Sequence, residues 1–273
     1  MSRTKTEIRE HYELEKALAN VLRHSTRKDR RRLYTVVYDE LFRQIPHHPL
    51  LIRKHDPATT REAVTSQMRL LRRFLKPATV FLELGPGDCS LSFAVAQHVT
   101  HVHAVDVSAE LMRSTNIPKN VTLTVSDGIA IPLPDNSVDV AYSNQLIEHL
   151  HPEDLHEQAH AIWRVLEPGG MYLCVTPNRL SGPHDISRGF DTVATGFHLK
   201  EYTNGELDRL FRQVGFAKTR ICIGVKGHFA VTGVWLARCC ERILETFPAS
   251  LTRRLAGIIP FRSILGIWFL AIK

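Results

Sequence analysis

The stretch VFLELGPGDCSLSFAV, residues 80–95, joins an apolar run to a second apolar run through a turn that contains two glycines. The first run is rich in strand-forming residues, and the second has apolar residues at helical spacing. Gly85 and Gly87 allow backbone conformations that other residues avoid and let a ligand approach the main chain closely. The stretch therefore predicts a strand, a tight ligand-binding turn and a helix.

Outward from this turn, strand and helix patterns alternate along most of the chain. Seven strands are predicted, at TVFLEL, HVHAVDV, VTLTVS, VDVAYSN, MYLCVTP, RICIGV and the terminal ILGIWFLAIK. Such alternation is typical of an α/β fold with a parallel sheet covered by helices on both faces. We expect a doubly wound, Rossmann-like, seven-stranded and mostly parallel sheet.

Two helical additions to this sheet are predicted. Residues 1–76 form a helical amino-terminal extension that we expect to act as a lid or substrate cap, and its third helix is expected over about 57–75. Residues 77–273 form the main domain, with a helical insertion at 229–260 before the last strand. The box Thr203-Asn204-Gly205-Glu206 predicts the start of a helix.

Charge is distributed unevenly over these parts. Residues 1–76 carry 18 Lys and Arg against 9 Asp and Glu, so +9; residues 77–220 carry 10 against 17, so −7; residues 221–273 carry 7 against 2, so +5. The run RKDRRR at 27–32 suggests nucleic acid, but without interleaved aromatic residues a solvated helix face is the favoured interpretation.

Composition indicates a cytoplasmic protein. Hydrophobic residues make up 44% and charged residues 23% of the chain, and no apolar run approaches the ~20 residues of a membrane span. The amino terminus lacks the apolar core of a signal peptide. The five cysteines show no CxxC spacing, which is typical of reduced, buried thiols.

Polar residues end four of the predicted strands. Glu83 and Asp106 end the first two, Asp127-Gly128 the third, and Asn144-Gln145 the fourth. Ligands of such sheets bind at the carboxyl ends of the strands, so these groups face one crevice. A carboxylate before the glycine turn repels a pyrophosphate but attracts an ammonium group, and position 90 holds Ser where a dinucleotide motif has its third glycine. The pattern favours a ligand with an amine, a ribose and a base.

At these residues the sequence resembles the class I S-adenosylmethionine-dependent methyltransferases, in particular the small-molecule, type 11-like branch. ELGPGDCS, VDVS, SDG, VAYSNQLIEHL and LEPGGMYLCVTPN are similar to successive motifs of that family over about residues 79–220, with Cys89 where a third glycine is usual. The resemblance implies S-adenosylmethionine as cofactor, S-adenosylhomocysteine as product, and no metal. The cofactor-binding residues expected from it and from the strand ends are Glu83, Gly85, Pro86, Gly87, Asp106, Val107, Met112, Asp127, Gly128 and Asn144.

The acceptor is expected to be a small molecule. Two interpretations of the basic apolar helices of 229–260 stay open: they pack on the sheet and on each other, which is favoured, or they rest on an anionic inner membrane surface near a lipophilic acceptor. The candidate bases for the acceptor proton are His149, His184, Asp185 and His198. His149, which follows the fourth strand, and His184, paired with Asp185 or another acid, are expected to be the most suitable. HVH at 101–103 and HH at 47–48 lack the further ligands that a zinc site needs. No oligomeric state is predicted.

Two other functions stay open at this point. A nucleic-acid methyltransferase would use the basic amino-terminal helices, although Asn144-Gln145-Leu146-Ile147 stands where the nucleobase signature, an Asp/Asn-Pro-Pro-aromatic run, would be. A non-catalytic cofactor-binding protein would keep the fold, although acids at three strand ends are more typical of a working cofactor site.

Overall fold

The computed structural model describes residues 3–45, 57–108, 116–225 and 228–273. Helices are α1 Lys5–His24, α2 Arg27–Gln44, α3 Pro57–Leu71, α4 Ser90–Ala96, α5 Pro152–Val165, α6 Asn204–Val214, α7 Trp235–Leu244, α8 Ala249–Ala256 and α9 Phe261–Leu265. Strands are β1 Val80–Leu84, β2 His101–Asp106, β3 Val121–Val125, β4 Val138–Asn144, β5 Leu166–Thr176, β6 Lys218–Val225, β7 His228–Gly233 and β8 Ile267–Ile272.

These strands form one sheet in the order β3-β2-β1-β4-β5-β8-β6-β7. The pairs from β3 to β5 are parallel, and β8 lies antiparallel between β5 and β6. Strand order reverses between β1 and β4, which opens the crevice predicted for ligands. The doubly wound, mostly parallel sheet is confirmed.

The sheet has eight strands among the described residues rather than the predicted seven. The additional strand, β7, pairs antiparallel with β6 from Arg220–Gly233 to Val225–His228. It occupies the start of the stretch expected to be a helical insertion, and the first helix there begins only at Trp235. Two helices, α7 and α8, follow it within 229–260, and α9 lies between the predicted insertion and β8.

Helices cover both faces of the sheet. On one face α1, α2, α5 and α6 contribute to a core that includes Leu82, Val105 and Tyr172. On the other face α3 and α4 pack against Phe81, Val102 and their neighbours. The alternation of Phe81 and Leu82 between the two cores follows from the two-residue period of a strand.

Local sequence explains how the helices that carry the site begin. Thr26 caps α2 by accepting a hydrogen bond from the Asp29 amide. Thr203 and Glu206 form the predicted capping box at α6. Pro152 begins α5, where its missing amide hydrogen costs nothing.

Candidate functional site

The glycine turn after β1 has the backbone that its sequence predicts. Gly85 and Gly87 have φ of 69° and 56°, and Cys89 has φ of 61°. Cys89 therefore adopts a conformation that favours glycine, at the position where the resembling family usually has one. A Cβ added to Gly87 would meet nothing within 4 Å, so the space above this residue is open.

Two cavities meet at this turn, with Gly85 in the wall of both. The larger, of about 650 Å³, lies over the ends of β1, β2 and β4, and α2 forms its other wall. The smaller, of about 180 Å³, lies between the turn and α3. A ligand that passes over Gly85 would therefore place its two ends in different surroundings.

The predicted cofactor residues divide between these cavities. The larger is lined by Gly85, Gly87, Asp106, Val107 and Gly128, and the smaller by Glu83, Gly85, Pro86 and Asn144. Asp127 lines neither of these two cavities. Met112 lies outside the described residues.

Glu83 is buried in the smaller cavity. Burial raises the pKa of its carboxyl to about 7, although a hydrogen bond donated by the Ser92 hydroxyl works in the opposite direction. A buried carboxyl with a raised pKa is suited to a cationic ligand group, because the cation would stabilise the ionised form of the carboxyl.

Asp106 braces the turn from the end of β2. Its Oδ2 accepts a hydrogen bond from the Gly87 amide at 3.2 Å, and its Oδ1 accepts one from the Ser108 amide at 3.0 Å. The carboxylate thus fixes the glycine turn relative to the second strand while it lines the larger cavity.

Asp127 is engaged with α2. Its Oδ2 accepts a hydrogen bond from Arg31 at 2.7 Å, and its Oδ1 accepts two from the Ile129 and Ala130 amides at 3.0 and 2.7 Å. Burial opposes ionisation, but the backbone bonds and Arg31 together lower the pKa of this carboxyl. The expected contact of Asp127 with an adenine stays a prediction.

Sequence reasoning missed Gln158, which lines the larger cavity. Its Nε2 donates to the Gly128 carbonyl at 2.7 Å, while its Oε1 is buried without a hydrogen-bond partner. A buried amide oxygen of this kind is costly unless a ligand donates to it. A signal was present, because Gln158 is a polar residue on the buried face of α5 with Leu155, Ala159 and Ile162.

The sequence predicts the extension as a cap but does not name the residues with which α2 forms a wall. Helix α2 contributes Tyr34, Thr35, Tyr38, Asp39, Phe42 and Arg43 to the larger cavity. Arg30 holds this helix in place: it is 2% exposed and donates two hydrogen bonds to Asp154, at 2.6 and 2.9 Å. The Tyr34 hydroxyl donates to the same carboxylate at 2.6 Å.

Of the predicted catalytic residues His149, His184 and Asp185, only His149 lines either of the two cavities described above. Its Nδ1 lies 3.1 Å from the Phe197 carbonyl and 3.0 Å from the Tyr38 hydroxyl. Burial, followed by the neighbouring His198, lowers the pKa of its imidazole to about 3. His149 is therefore neutral at physiological pH, with the Nδ1 hydrogen directed to the carbonyl.

His184 and Asp185 do not pair with each other. His184 Nδ1 lies 3.2 Å from Glu201, so the acid beside it is Glu201. Asp185 accepts hydrogen bonds from the Ser187 and Gly196 amides and thereby shapes its loop. Burial opposes ionisation of Glu201, but hydrogen bonds with His184 and His198 lower its pKa to about 2. Neither His184 nor Asp185 lines either of the two cavities.

Comparison with known proteins gives a consistent family. A methyltransferase-domain model matches residues 82–174. Probable S-adenosylmethionine-dependent methyltransferases of Mycolicibacterium smegmatis and Mycobacterium tuberculosis are 43% and 33% identical over 32% and 52% of this chain. The matches span 31% and 50% of those relatives, so about half of their length or less is compared.

The fold has a matching solved structure. A SAM dependent methyltransferase from Archaeoglobus fulgidus aligns with a TM-score of 0.53 and 20% identity, over 78% of this chain and 94% of that one. The Archaeoglobus structure shows the shared fold, and the family model covers residues 82–174. Together with the glycine turn, the acids at the strand ends and the strand order, these matches support a class I S-adenosylmethionine-dependent methyltransferase of the type 11 kind.

Proposed function

We propose that the protein transfers a methyl group from S-adenosylmethionine to an oxygen, or less favourably a nitrogen, of a small-molecule acceptor. One observation carries this proposal: two cavities of different size and chemistry meet at Gly85. The smaller contains Glu83 and Asn144 and suits an amino-acid group. The larger contains Asp106 and suits a nucleoside together with an acceptor.

The residues present fit this cofactor. Glu83 would hold the ammonium group, Asp106 the ribose hydroxyls, and open space over Gly87 admits the ligand against the backbone. Gln158 offers a buried, unpartnered amide oxygen to an adenine amino group. This assignment adds Gln158 to the predicted set beside Asp127.

The acceptor would occupy the end of the larger cavity beneath α2. Apolar and aromatic side chains line this end, among them Tyr38, Phe42 and Leu150, with His149 between them. Such a lining suits a partly apolar molecule with a single polar group. In this proposal the extension acts as a cap, because α2 supplies one wall of the cavity.

In the proposed methyl transfer, the main task of the protein is to align the acceptor with the methyl group. S-adenosylmethionine supplies an electrophilic methyl group when bound, and the cavity walls orient the acceptor and exclude water. His149 is the better-supported candidate base, because it lines the cavity with an uncharged imidazole, although its lowered pKa makes it a weak base until a ligand changes its surroundings. His184 is the weaker candidate base, because Glu201 and His198 separate it from His149.

The contacts of α2 disfavour the nucleic-acid alternative. Arg30 and Arg31 pair with Asp154, Asp127 and Glu157 of the same chain. Much of the RKDRRR run is therefore neutralised within the protein rather than offered to phosphates. The run docks the extension, so it is more than a solvated helix face.

Calorimetry tests the proposal. Wild-type protein is expected to bind S-adenosylhomocysteine with micromolar affinity, and Asp106→Ala is expected to lose about 2–4 kcal/mol of binding free energy. Asp139→Ala is the matched control, because Asp139 accepts a hydrogen bond from the Val80 amide at the opposite end of β1. Unchanged affinity in Asp106→Ala, or equal affinity for NAD, would refute the cofactor assignment.

The acceptor calls for a separate experiment. Metabolites of a strain that lacks the protein should show accumulation of an unmethylated compound relative to the parent strain. That compound, supplied with S-adenosylmethionine, should be methylated by the purified protein. A compound methylated only when attached to nucleic acid would contradict the small-molecule proposal.

A further inference from the structure

Three potential metal ligands converge beside the larger cavity. One ligand atom each from Glu148, His149 and His198 lies within 4.8 Å of the other two. Glu148 and His149 belong to the turn after β4, and His198 comes from the loop before α6. Glu148 is fully buried and His198 is 7% exposed.

Glu148 has a buried carboxylate oxygen without a partner. Its Oε2 accepts a hydrogen bond from the Thr176 hydroxyl at 2.8 Å, but its Oε1 has no hydrogen-bond partner in the structure. An ionised oxygen in this state is costly, because burial removes its water without a replacement. A cation bound at Oε1 would remove this cost.

The two imidazoles are already oriented by other groups. Nδ1 of His149 lies 3.1 Å from the Phe197 carbonyl, and Nδ1 of His198 lies 2.7 Å from Glu201. Histidines that bind metals typically donate their second ring nitrogen to a carbonyl or carboxylate in this way. The arrangement leaves Nε2 of each ring to act as a ligand.

From these contacts we infer that Glu148, His149 and His198 form a binding site for a divalent transition-metal ion. Two imidazoles and one carboxylate are a donor set for Zn²⁺, Fe²⁺ or Co²⁺, with a further coordination position free for water or a substrate oxygen. Ligands at bonding distance from one ion lie roughly 3.4 Å apart, so small side-chain rotations would complete the site. This inference revises the sequence-based expectation of no metal.

A second cluster of potential metal ligands in the described part of the chain has its carboxylates neutralised by an arginine. His151, Glu153 and Asp154 also bring ligand atoms within 4.8 Å of one another. Arg30, however, already pairs with both of those carboxylates. A cation would have to compete with the guanidinium there, so this cluster supplies the control.

The site would change how an acceptor hydroxyl is activated. An ion next to the cavity lowers the pKa of an oxygen bound to it, so the ion and a free His149 base are alternatives that use the same imidazole. The presence of the ion site itself does not depend on the proposed transfer reaction. Binding of metal and binding of S-adenosylhomocysteine can therefore be measured separately on one sample.

The test uses untagged, chelator-treated and dialysed full-length protein. Calorimetry with Zn²⁺ and visible absorption with Co²⁺ are expected to show one bound ion, without the charge-transfer band of a thiolate ligand. Glu148→Gln and His198→Ala are expected to weaken binding ~100-fold or more, whereas His151→Ala keeps wild-type affinity. Thermal melting and S-adenosylhomocysteine binding show whether each variant is folded.

Three results would overturn the inferred metal site. Wild-type protein that binds S-adenosylhomocysteine but neither metal overturns the inference and leaves the proposed function intact. Metal binding that survives in both variants, or that is lost in His151→Ala, overturns it too. If a variant fails to fold, the Co²⁺ spectrum of wild-type protein decides, because nitrogen and oxygen ligands give a different spectrum from cysteine thiolates.

Discussion

Replacing Glu83 by Gln should stabilise the free protein and weaken its binding of cofactor. The pKa of Glu83 rises from an ordinary 4.5 to about 7 in the folded state, mainly through burial. The folded protein therefore keeps a proton that the unfolded chain releases between about pH 4.5 and 7. The free energy of unfolding falls as pH rises through this window and levels off above it.

The magnitude follows from the size of this rise. Each pKa unit corresponds to about 1.4 kcal/mol, so ionised Glu83 costs the free protein about 3 kcal/mol at pH 8. Gln keeps the shape and can still accept from the Ser92 hydroxyl. Glu83→Gln should therefore be more stable than wild type by up to about 3 kcal/mol at pH 8 and equally stable at pH 4.5.

Urea unfolding at pH 4.5, 6, 7 and 8 measures this difference. Asp135→Asn is the surface control, because its side chain is 68% exposed. Equal unfolding free energies for wild type and Glu83→Gln at pH 8 would refute the argument that ionised, buried Glu83 destabilises the free protein.

The same variant tests the cofactor contact. A bound ammonium group favours ionised Glu83, so binding of S-adenosylhomocysteine near pH 6.5 should release a proton in wild type and none in Glu83→Gln. Calorimetry in buffers of different ionisation enthalpy detects that proton. The affinity should fall about 10- to 100-fold, as for loss of one hydrogen bond to a charged group. Equal proton release in both proteins would remove Glu83 from the proposed site.

Three other perturbations have expected outcomes. Arg30→Met leaves Asp154 buried and unpaired and should cost about 3–5 kcal/mol in urea unfolding, whereas Arg31→Met, on a more exposed pair, should cost less than ~1 kcal/mol. With an acceptor identified, His149→Ala should reduce turnover by about 10²–10⁴ and keep cofactor affinity; normal turnover would mean transfer by alignment alone. If the helices of 229–260 contact a membrane, protein should float with anionic but not neutral liposomes at low salt; its absence from the anionic vesicle fraction would leave the membrane hypothesis without support.

The membrane prediction has a structural basis in the insertion. Large apolar side chains are exposed there, including Trp235 at 65% and Ile259 at 71%. No helix among the described residues is long and apolar enough to cross a membrane. Ser at both positions should reduce flotation if these side chains enter the lipid surface.

The sheet and the glycine turn were predictable because their signals are local. The apolar period of β1, the positive-φ turn at Gly85 and the acid at the end of β2 all lie within about 25 residues of sequence. Parallel strand ends then have to meet at one edge. This rule correctly brought Asp106 and His149 to one cavity.

The missed features depend on contacts between distant parts of the chain. Arg31 meets Asp127 across 96 residues and Arg30 meets Asp154 across 124. The periodicity of apolar residues does not indicate which carboxylate pairs with a given arginine. For the same reason the sequence predicted an acid beside His184 without showing that it is Glu201.

These long-range pairs explain the uneven charge of the chain. The basic extension and the acidic middle are complementary surfaces of one molecule, joined where α2 covers the larger cavity. Arg30 is buried at this contact, while Arg27 and Arg31 are partly exposed on its rim. Salt screens exposed pairs far more than buried ones, so high salt should loosen the rim and leave the Arg30 contact in place. At high salt the cavity wall that holds Tyr38 near His149 then depends on this buried ion pair and on the apolar residues of α2 in the core, and so does the proposed position of the acceptor.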